Sequence, residues 1–113
     1  MEVQGGHKNK GWVCLFEAIG TLFLVIAFNW GSNSPTAMAC TLFVGIMLFG
    51  NMTGGHFNPA VTLSVLISGG EIRKDILFAL LIMISQIIGA FFGILIARGG
   101  LPFLLSDAPI DSN

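Results

Sequence analysis

The chain has 113 residues, of which 54% are hydrophobic and only 10% are charged, and its mean hydropathy is +0.85. Because soluble domains usually carry about 25% charged residues, this composition indicates a membrane protein. A net charge of −1 gives no reason to expect nucleic acid as a partner. The sequence shows no cofactor motif, no metal-ligand cluster and no converging catalytic groups, so we expect neither cofactor nor metal and no enzymatic activity.

Three apolar segments are long enough to cross a bilayer, which requires about 20 residues each. Their predicted bounds are 12–30, 35–50 and 76–97. The first has a tryptophan at each end, where amphipathic rings favour the membrane interface. The second begins with Ser34-Pro35, a capping residue followed by a proline that suits the first helical position.

The placement of lysine and arginine predicts the orientation of the spans. Four cationic residues lie on the side of the N-terminus and one lies on the other side: Lys8, Lys10, Arg73 and Lys74 against Arg98. The positive-inside rule therefore places the N-terminus in the cytoplasm. We expect residues 1–11 to form a cytoplasmic tail and residues 99–113 an extracytoplasmic tail.

The stretch 53–68, between the second and third spans, predicts a helix that cannot cross the membrane. Asn58 is a good N-cap residue and Pro59 suits the first helical position, so the pattern predicts a helix from Pro59 to Ser68. At 1.5 Å per residue it would be about 15 Å long, about half of the hydrocarbon core. Such a half-helix can enter from one face and end near the midplane. The irregular backbone before it is stable there only when buried in protein or lining a water-filled cavity.

The octapeptide at 55–62, Gly-His-Phe-Asn-Pro-Ala-Val-Thr, resembles the first signature loop of the aquaporin family, the major intrinsic proteins. The resemblance is specific because the Asn-Pro-Ala motif lies between apolar spans, with Glu17 upstream and Gln86 downstream. It extends over residues 12–98. It implies an all-α membrane protein with three transmembrane helices and one re-entrant half-helix, which is one of the two inverted repeats of that fold.

A pore around the half-helix is what the resemblance implies. The N-terminus of a helix carries about half an elementary positive charge, which opposes cations and protons, and the capping amide can donate to a passing oxygen. The resemblance makes the loop carbonyls a ladder of acceptors, Val61 an apolar wall and Met38 the first residue of the outer constriction. The expected pore and selectivity residues are Met38, Gly54, Gly55, His56, Phe57, Asn58, Pro59, Ala60 and Val61. The alternatives are a purely structural cap at Asn58 and a lipid-facing Met38.

Two polar residues inside the spans are expected to support the loop. A carboxylate within a span is costly unless it has a partner. The resemblance implies that Glu17 accepts N–H bonds from the signature loop or pairs with His56, and that Gln86 is a second tether. A proton relay through Glu17 is the alternative.

Three glycines are expected to serve helix packing. Gly89 and Gly93 form a GxxxG pair in the third span, and Gly20 offers a similar smooth patch in the first. The alternative is that glycines are simply common in membrane helices.

The function implied by the resemblance is passive passage of water or small neutral solutes. Met38 stands where water channels tend to carry an aromatic residue, which weakens any claim of strict water selectivity. One half cannot enclose a pore, so we expect membrane lipid and a second aquaporin half, from the same or another chain, as partners. The family further suggests a homotetramer. The alternative is a non-conducting membrane subunit that retains the half-helix for structure or assembly.

Overall fold

The computed structural model describes residues 9–100 of the chain. Within this range the secondary structure consists of four helices: α1 (Lys10–Trp30), α2 (Pro35–Thr53), α3 (Pro59–Ser68) and α4 (Ile72–Ala97). Helices α1, α2 and α4 are long and apolar enough to cross a membrane, whereas α3 is short. The predicted fold class is therefore confirmed. Most of the two predicted tails lies outside the described residues.

Capping residues define where α3 and α2 begin. Asn58 has an extended backbone (φ −156°, ψ 126°), and its side chain accepts a hydrogen bond of 2.8 Å from the Ala60 N–H. Ser34 caps α2 in the same manner, accepting from the Ala37 N–H at 3.4 Å. In both cases a proline follows the cap, where its missing N–H has no consequence.

The long helices differ from their predicted bounds at three ends. Helix α1 begins at Lys10 rather than at residue 12, α2 continues to Thr53 rather than ending near residue 50, and α4 begins at Ile72 rather than at residue 76. The charged residues Arg73, Lys74 and Asp75, which precede the predicted start of the third span, lie in the first turn of α4, because a preference for water does not prevent a residue from being helical. Helix α2 ends only where Gly54 takes a left-handed backbone (φ 90°).

Helices α1 and α4 pack with their backbones in close approach. A Cβ atom at Gly89 would overlap the carbonyl group of Ala18, and one at Gly93 would lie 2.8 Å from the carbonyl oxygen of Leu22. The small residues of α4 therefore allow the carbonyl groups of α1 to lie directly against it.

Contacts at both ends fix the register of α1 on α4. The Lys10 ammonium lies 5.3 Å from the centre of the Phe78 ring. At the other end, the Trp30 indole donates to the Ala97 carbonyl oxygen at 3.2 Å. The start of α1 therefore lies beside the first turns of α4, and the two helices also end together.

The interior of the described bundle is as polar as it is apolar. Buried apolar residues are Val13, Phe57, Leu66, Ala79 and Ile82; buried polar residues are Glu17, Thr21, Thr53, His56, Thr62 and Gln86. Large apolar side chains cover the outer faces of the three long helices, as expected of a surface that meets lipid. The buried polar residues surround the segment between α2 and α3.

Candidate functional site

The loop between α2 and α3 has an irregular backbone. Gly54 and Gly55 have φ values of 90° and 66°, which glycine adopts without steric cost. Phe57 also has a positive φ, 49°, although it carries a side chain. A non-glycine residue in this region costs on the order of 1–3 kcal/mol and persists only when its surroundings hold it there.

Glu17 holds the loop from α1. Its two carboxylate oxygens accept hydrogen bonds from the backbone N–H groups of His56, at 3.0 Å, and of Phe57, at 2.7 Å. Gln86 of α4 donates to the same carboxylate at 2.8 Å. The residue is fully buried, and an acceptor-only carboxylate is well matched to three N–H donors. Of the two arrangements expected for Glu17, this is acceptance from the loop backbone, not pairing with the His56 ring.

Thr62 joins the loop, α3 and α4, a role that our sequence analysis did not assign. Its hydroxyl oxygen lies 3.0 Å from Gln86 Nε2, 3.1 Å from His56 Nδ1 and 3.3 Å from the Asn58 carbonyl oxygen. A hydroxyl has one hydrogen and two lone pairs. When Thr62 donates to the Asn58 carbonyl and accepts from Gln86, its remaining lone pair requires Nδ1 of His56 to carry the proton. The sequence signal that could have indicated this role was a hydroxyl residue about one helical turn after the Asn58 cap.

The Gln86 side chain is fully buried and only half satisfied. Its Nε2 group donates to Glu17 and Thr62, but among the described residues Oε1 has no hydrogen-bond partner. Exchanging the two ends of the amide would place its oxygen against the Glu17 carboxylate. The Glu17 carboxylate therefore fixes the orientation of the Gln86 amide. Gln86 connects α4 to the loop through Nε2, while its Oε1 atom stays without a partner among the described residues.

The rings of His56 and Phe57 both turn into the protein. A Cβ atom at Gly54 would lie 3.1 Å from His56 Nε2, so the imidazole covers that glycine. The Phe57 ring occupies the space beside Gly20 of α1 and Gly45 of α2. We expected Gly20 to serve helix–helix packing, and the atoms nearest to a Cβ built there belong to this ring.

An open groove of about 540 Å³ runs past the N-terminus of α3. Its lining includes Thr21, Met38, Phe57, Asn58, Pro59 and Arg98. The structure thus brings Met38 and Asn58 to one surface. Arg98, whose charge entered only the prediction of orientation, lies on the same groove, and no local signal in the sequence indicated this.

Asn58 lines this groove with its Oδ1 atom already engaged. The residue is exposed, and its Oδ1 atom is engaged by the Ala60 N–H. The Nδ2 group then carries two N–H donors that the cap does not use. Ala60 and Val61 are also exposed, and Val61 retains 43% of its accessible surface. The described residues leave this face of α3 uncovered.

Comparisons with known proteins identify the family. The model for major intrinsic proteins matches residues 7–103. Aquaporin-5 of Ovis aries is 32% identical over 98 residues (77% of this chain, 36% of that protein). Aquaporin-8 of Mus musculus is 36% identical over 95 residues (75% and 35%), and probable aquaporin TIP2-1 of Oryza sativa subsp. japonica is 42% identical over 100 residues (73% and 39%). No solved structure matches the chain.

The matches account for the architecture described above. The chain spans a little over a third of the length of these relatives, 36%, 35% and 39%. The family match and the three long apolar helices show that the chain is an integral membrane protein related to channels rather than to enzymes. The chain belongs to the major intrinsic protein family.

Proposed function

We propose that the chain forms the N-terminal half of a passive channel for water or small neutral solutes. The observation that carries this proposal is that Asn58, whose side chain caps a short helix, lines an open groove while buried side chains fix the loop behind it. An oxygen of a passing molecule can accept from Nδ2, because the cap engages only the Oδ1 end of the amide. The family membership supports the same function.

Exclusion of ions follows from the end of α3 that faces the groove. A helix of ten residues presents a partial positive charge of about half an elementary unit at its N-terminus, and its first N–H groups lack intrahelical partners. Cations and protons in the groove are repelled by that field, whereas neutral molecules are not. The Asn58 cap occupies only one of those N–H groups.

The remaining pore residues are assigned roles in the same proposal. The carbonyl groups of the loop from Gly54 to Phe57 serve as successive acceptors, and Val61 and Ala60 form an apolar wall beside Asn58. Met38 contributes to the outer constriction, supported by its place on the groove that also holds Asn58. Because methionine is flexible, this constriction admits neutral solutes larger than water as well as water.

A partner must complete the pore. The groove is open, and a second aquaporin half, in the same protein or another, would cover it and bring a second half-helix. We propose assembly into a homotetramer in the membrane, as the family resemblance suggests.

The cytoplasmic position of the N-terminus belongs to the same proposal. The contact between Lys10 and Phe78 places Lys10 at the end of the bundle where Arg73 and Lys74 lie, while Arg98 lies at the opposite end. This charge distribution favours the end that carries Lys10 as the cytoplasmic one.

Osmotic water flux tests the channel. We expect vesicles that hold the chain together with a second aquaporin half to shrink faster than empty vesicles in stopped-flow light scattering. Asn58→Ala should lower the added permeability about tenfold, because it removes both the donor and the cap. Ser64→Ala is the matched control, since Ser64 is exposed on α3 and its hydroxyl bonds only within that helix. Equal permeability for Asn58→Ala and the unmodified chain would contradict the assignment.

The second candidate is a non-conducting membrane subunit. The uncovered face of α3 in the described residues favours it, because a half without its complement encloses no pore. Vesicles that hold this chain with and without a second aquaporin half distinguish the two roles. Water permeability equal to that of empty vesicles, unchanged when a second half is added, would support the structural role.

A further inference from the structure

The loop places an aromatic ring where two helices each lack a side chain. Phe57 is 2% exposed, and its ring lies between Gly20 of α1 and Gly45 of α2. A Cβ atom at Gly20 would overlap the ring, while one at Gly45 would lie 3.1 Å from Cε2. The notch formed by these two glycines therefore fits a flat ring and has no room for an added methyl group on the α1 side.

The backbone of Phe57 is held as firmly as its ring. Its N–H donates to Glu17 at 2.7 Å, and its φ of 49° is one that a residue with a side chain adopts only under constraint. Asn58 follows directly, with an extended backbone and its side chain on the Ala60 N–H. Because the two residues share a peptide bond, the position of the ring fixes where the capping amide begins.

Further rings support the notch from behind. Phe49 meets Phe57 edge-to-face, with ring centres 6.4 Å apart and an angle of 81° between their planes. Phe49 stacks on Phe16 at 5.1 Å, and Phe16 stacks on Trp12 at 5.8 Å. Edge-to-face and stacked pairs are attractive beyond the area that they bury. The row of rings therefore links the first turn of α1 to the residue before the cap.

We propose that Phe57 is the positioning residue of the candidate pore, and that the notch of Gly20 and Gly45 sets the place of the Asn58 amide by receiving its ring. This inference rests on the proposed function for its meaning, since Asn58 is there the donor to the permeating molecule. The structural claim itself does not depend on conduction: the position of the Phe57 ring between Gly20 and Gly45 determines the position of the Asn58 cap.

Amide hydrogen exchange of the full chain in detergent micelles, followed by NMR, tests the inference. The Phe57 amide reports the bond to Glu17, and the Ala60 amide reports the bond to the Asn58 side chain. Gly20→Ala should speed exchange at both amides about tenfold while the amide of Ile82, buried in α4, is unchanged. Alanine is the better helix former, so helix propensity alone predicts the opposite sign.

Graded and control variants separate the notch from a general loss of structure. Gly45→Ala should give a smaller increase in the same direction, because the contact it creates is less severe. Gly50→Ala is the matched control: it adds the same methyl group to α2, where its nearest neighbour is a side-chain methyl of Ile46 at 3.3 Å rather than a ring or backbone of another element. We expect exchange within about twofold of the natural chain for this control.

A double-mutant cycle supplies the decisive comparison. Phe57→Ala should itself speed exchange at Ala60, and adding Gly20→Ala to it should change the rate by no more than about twofold, since the ring that the methyl group would meet is gone. Equal exchange in Gly20→Ala and the natural chain, or an undiminished effect of Gly20→Ala when Phe57→Ala is already present, would overturn the inference. If Gly20→Ala does not fold, the cycle of Gly45→Ala with Phe57→Ala decides by the same criterion.

Failure of this inference is distinguishable from failure of the proposed function. Exchange rates that follow the cycle in a chain that adds no water permeability would leave the positioning role intact and remove the channel. Exchange rates that do not follow the cycle, for a chain that does add water permeability to vesicles, would remove the positioning role and leave the channel.

Discussion

Glu17 is the residue on which the loop depends most directly. It accepts from three buried donors, the N–H groups of His56 and Phe57 and the amide of Gln86. Glu17→Gln replaces one accepting oxygen by an NH₂ group that faces donors. We expect a loss in the free energy of unfolding of about 1–3 kcal/mol for each donor left unpaired. Denaturant titration in micelles, monitored by tryptophan fluorescence, measures this loss.

A surface acid provides the control for Glu17. Glu71→Gln removes the same charge from an exposed residue whose salt bridge with Lys74, at 3.0 Å, is worth little in water. Its unfolding transition should be nearly unchanged. A Glu17→Gln transition that coincided with that of Glu71→Gln would show that the carboxylate is dispensable to the loop.

At the scale of elements, the contact between α1 and α4 depends on Gly89. A Cβ atom there would meet the backbone of Ala18, which cannot move without shifting the helix. We expect Gly89→Ala to lower the free energy of unfolding by about 1–3 kcal/mol, because overpacking forces the helices apart. Gly93→Ala should cost less, since Val25 side-chain atoms account for part of its crowding.

The same denaturant titration checks this contact. Gly50→Ala of α2 serves again as the control, because it meets only a side chain. If Gly89→Ala and Gly50→Ala unfolded at the same denaturant concentration, close backbone approach would not be what holds α1 on α4.

Signals between adjacent residues predicted the bounds of α3, whereas the contacts that hold the Phe57 ring could not be predicted from any single stretch of sequence. Asn58-Pro59 identifies the start of α3 because capping chemistry depends on adjacent residues only. Helix α4 begins at Ile72, before the predicted bound of 76, because charged residues ahead of an apolar run can also be helical. The seat of the Phe57 ring joins residues from α1 and α2 that no single stretch of sequence brings together. Family resemblance pointed to Glu17, but the role of Thr62 emerged only from three-dimensional contacts.

At the scale of the whole molecule, the charge distribution predicts which ends face the cytoplasm. We expect a thiol introduced by Glu71→Cys to react with a membrane-impermeant reagent only from the cytoplasmic side, and one introduced by Thr36→Cys only from the other side. Both positions are exposed. The natural thiols Cys14 and Cys40 are free and must first be changed to alanine.

Labelling of sealed, right-side-out vesicles measures this orientation. Reaction of Thr36→Cys without permeabilisation, together with reaction of Glu71→Cys only after it, is the expected outcome. The reverse pattern would show that the chain is inserted with its N-terminus outside, and a mixture would show dual topology.

The fully buried Gln86 amide has a consequence for how the half is completed during synthesis. The carboxylate that secures the loop lies on α1, but its third donor lies on α4, 69 residues later along the chain. The intervening turn cannot reach its final tethered state while the ribosome is still adding α4. The loop between α2 and α3 therefore reaches its final hydrogen bonding only after α4 has been added. A product cut short before α4 would carry Glu17 in the bilayer without its bond from Gln86.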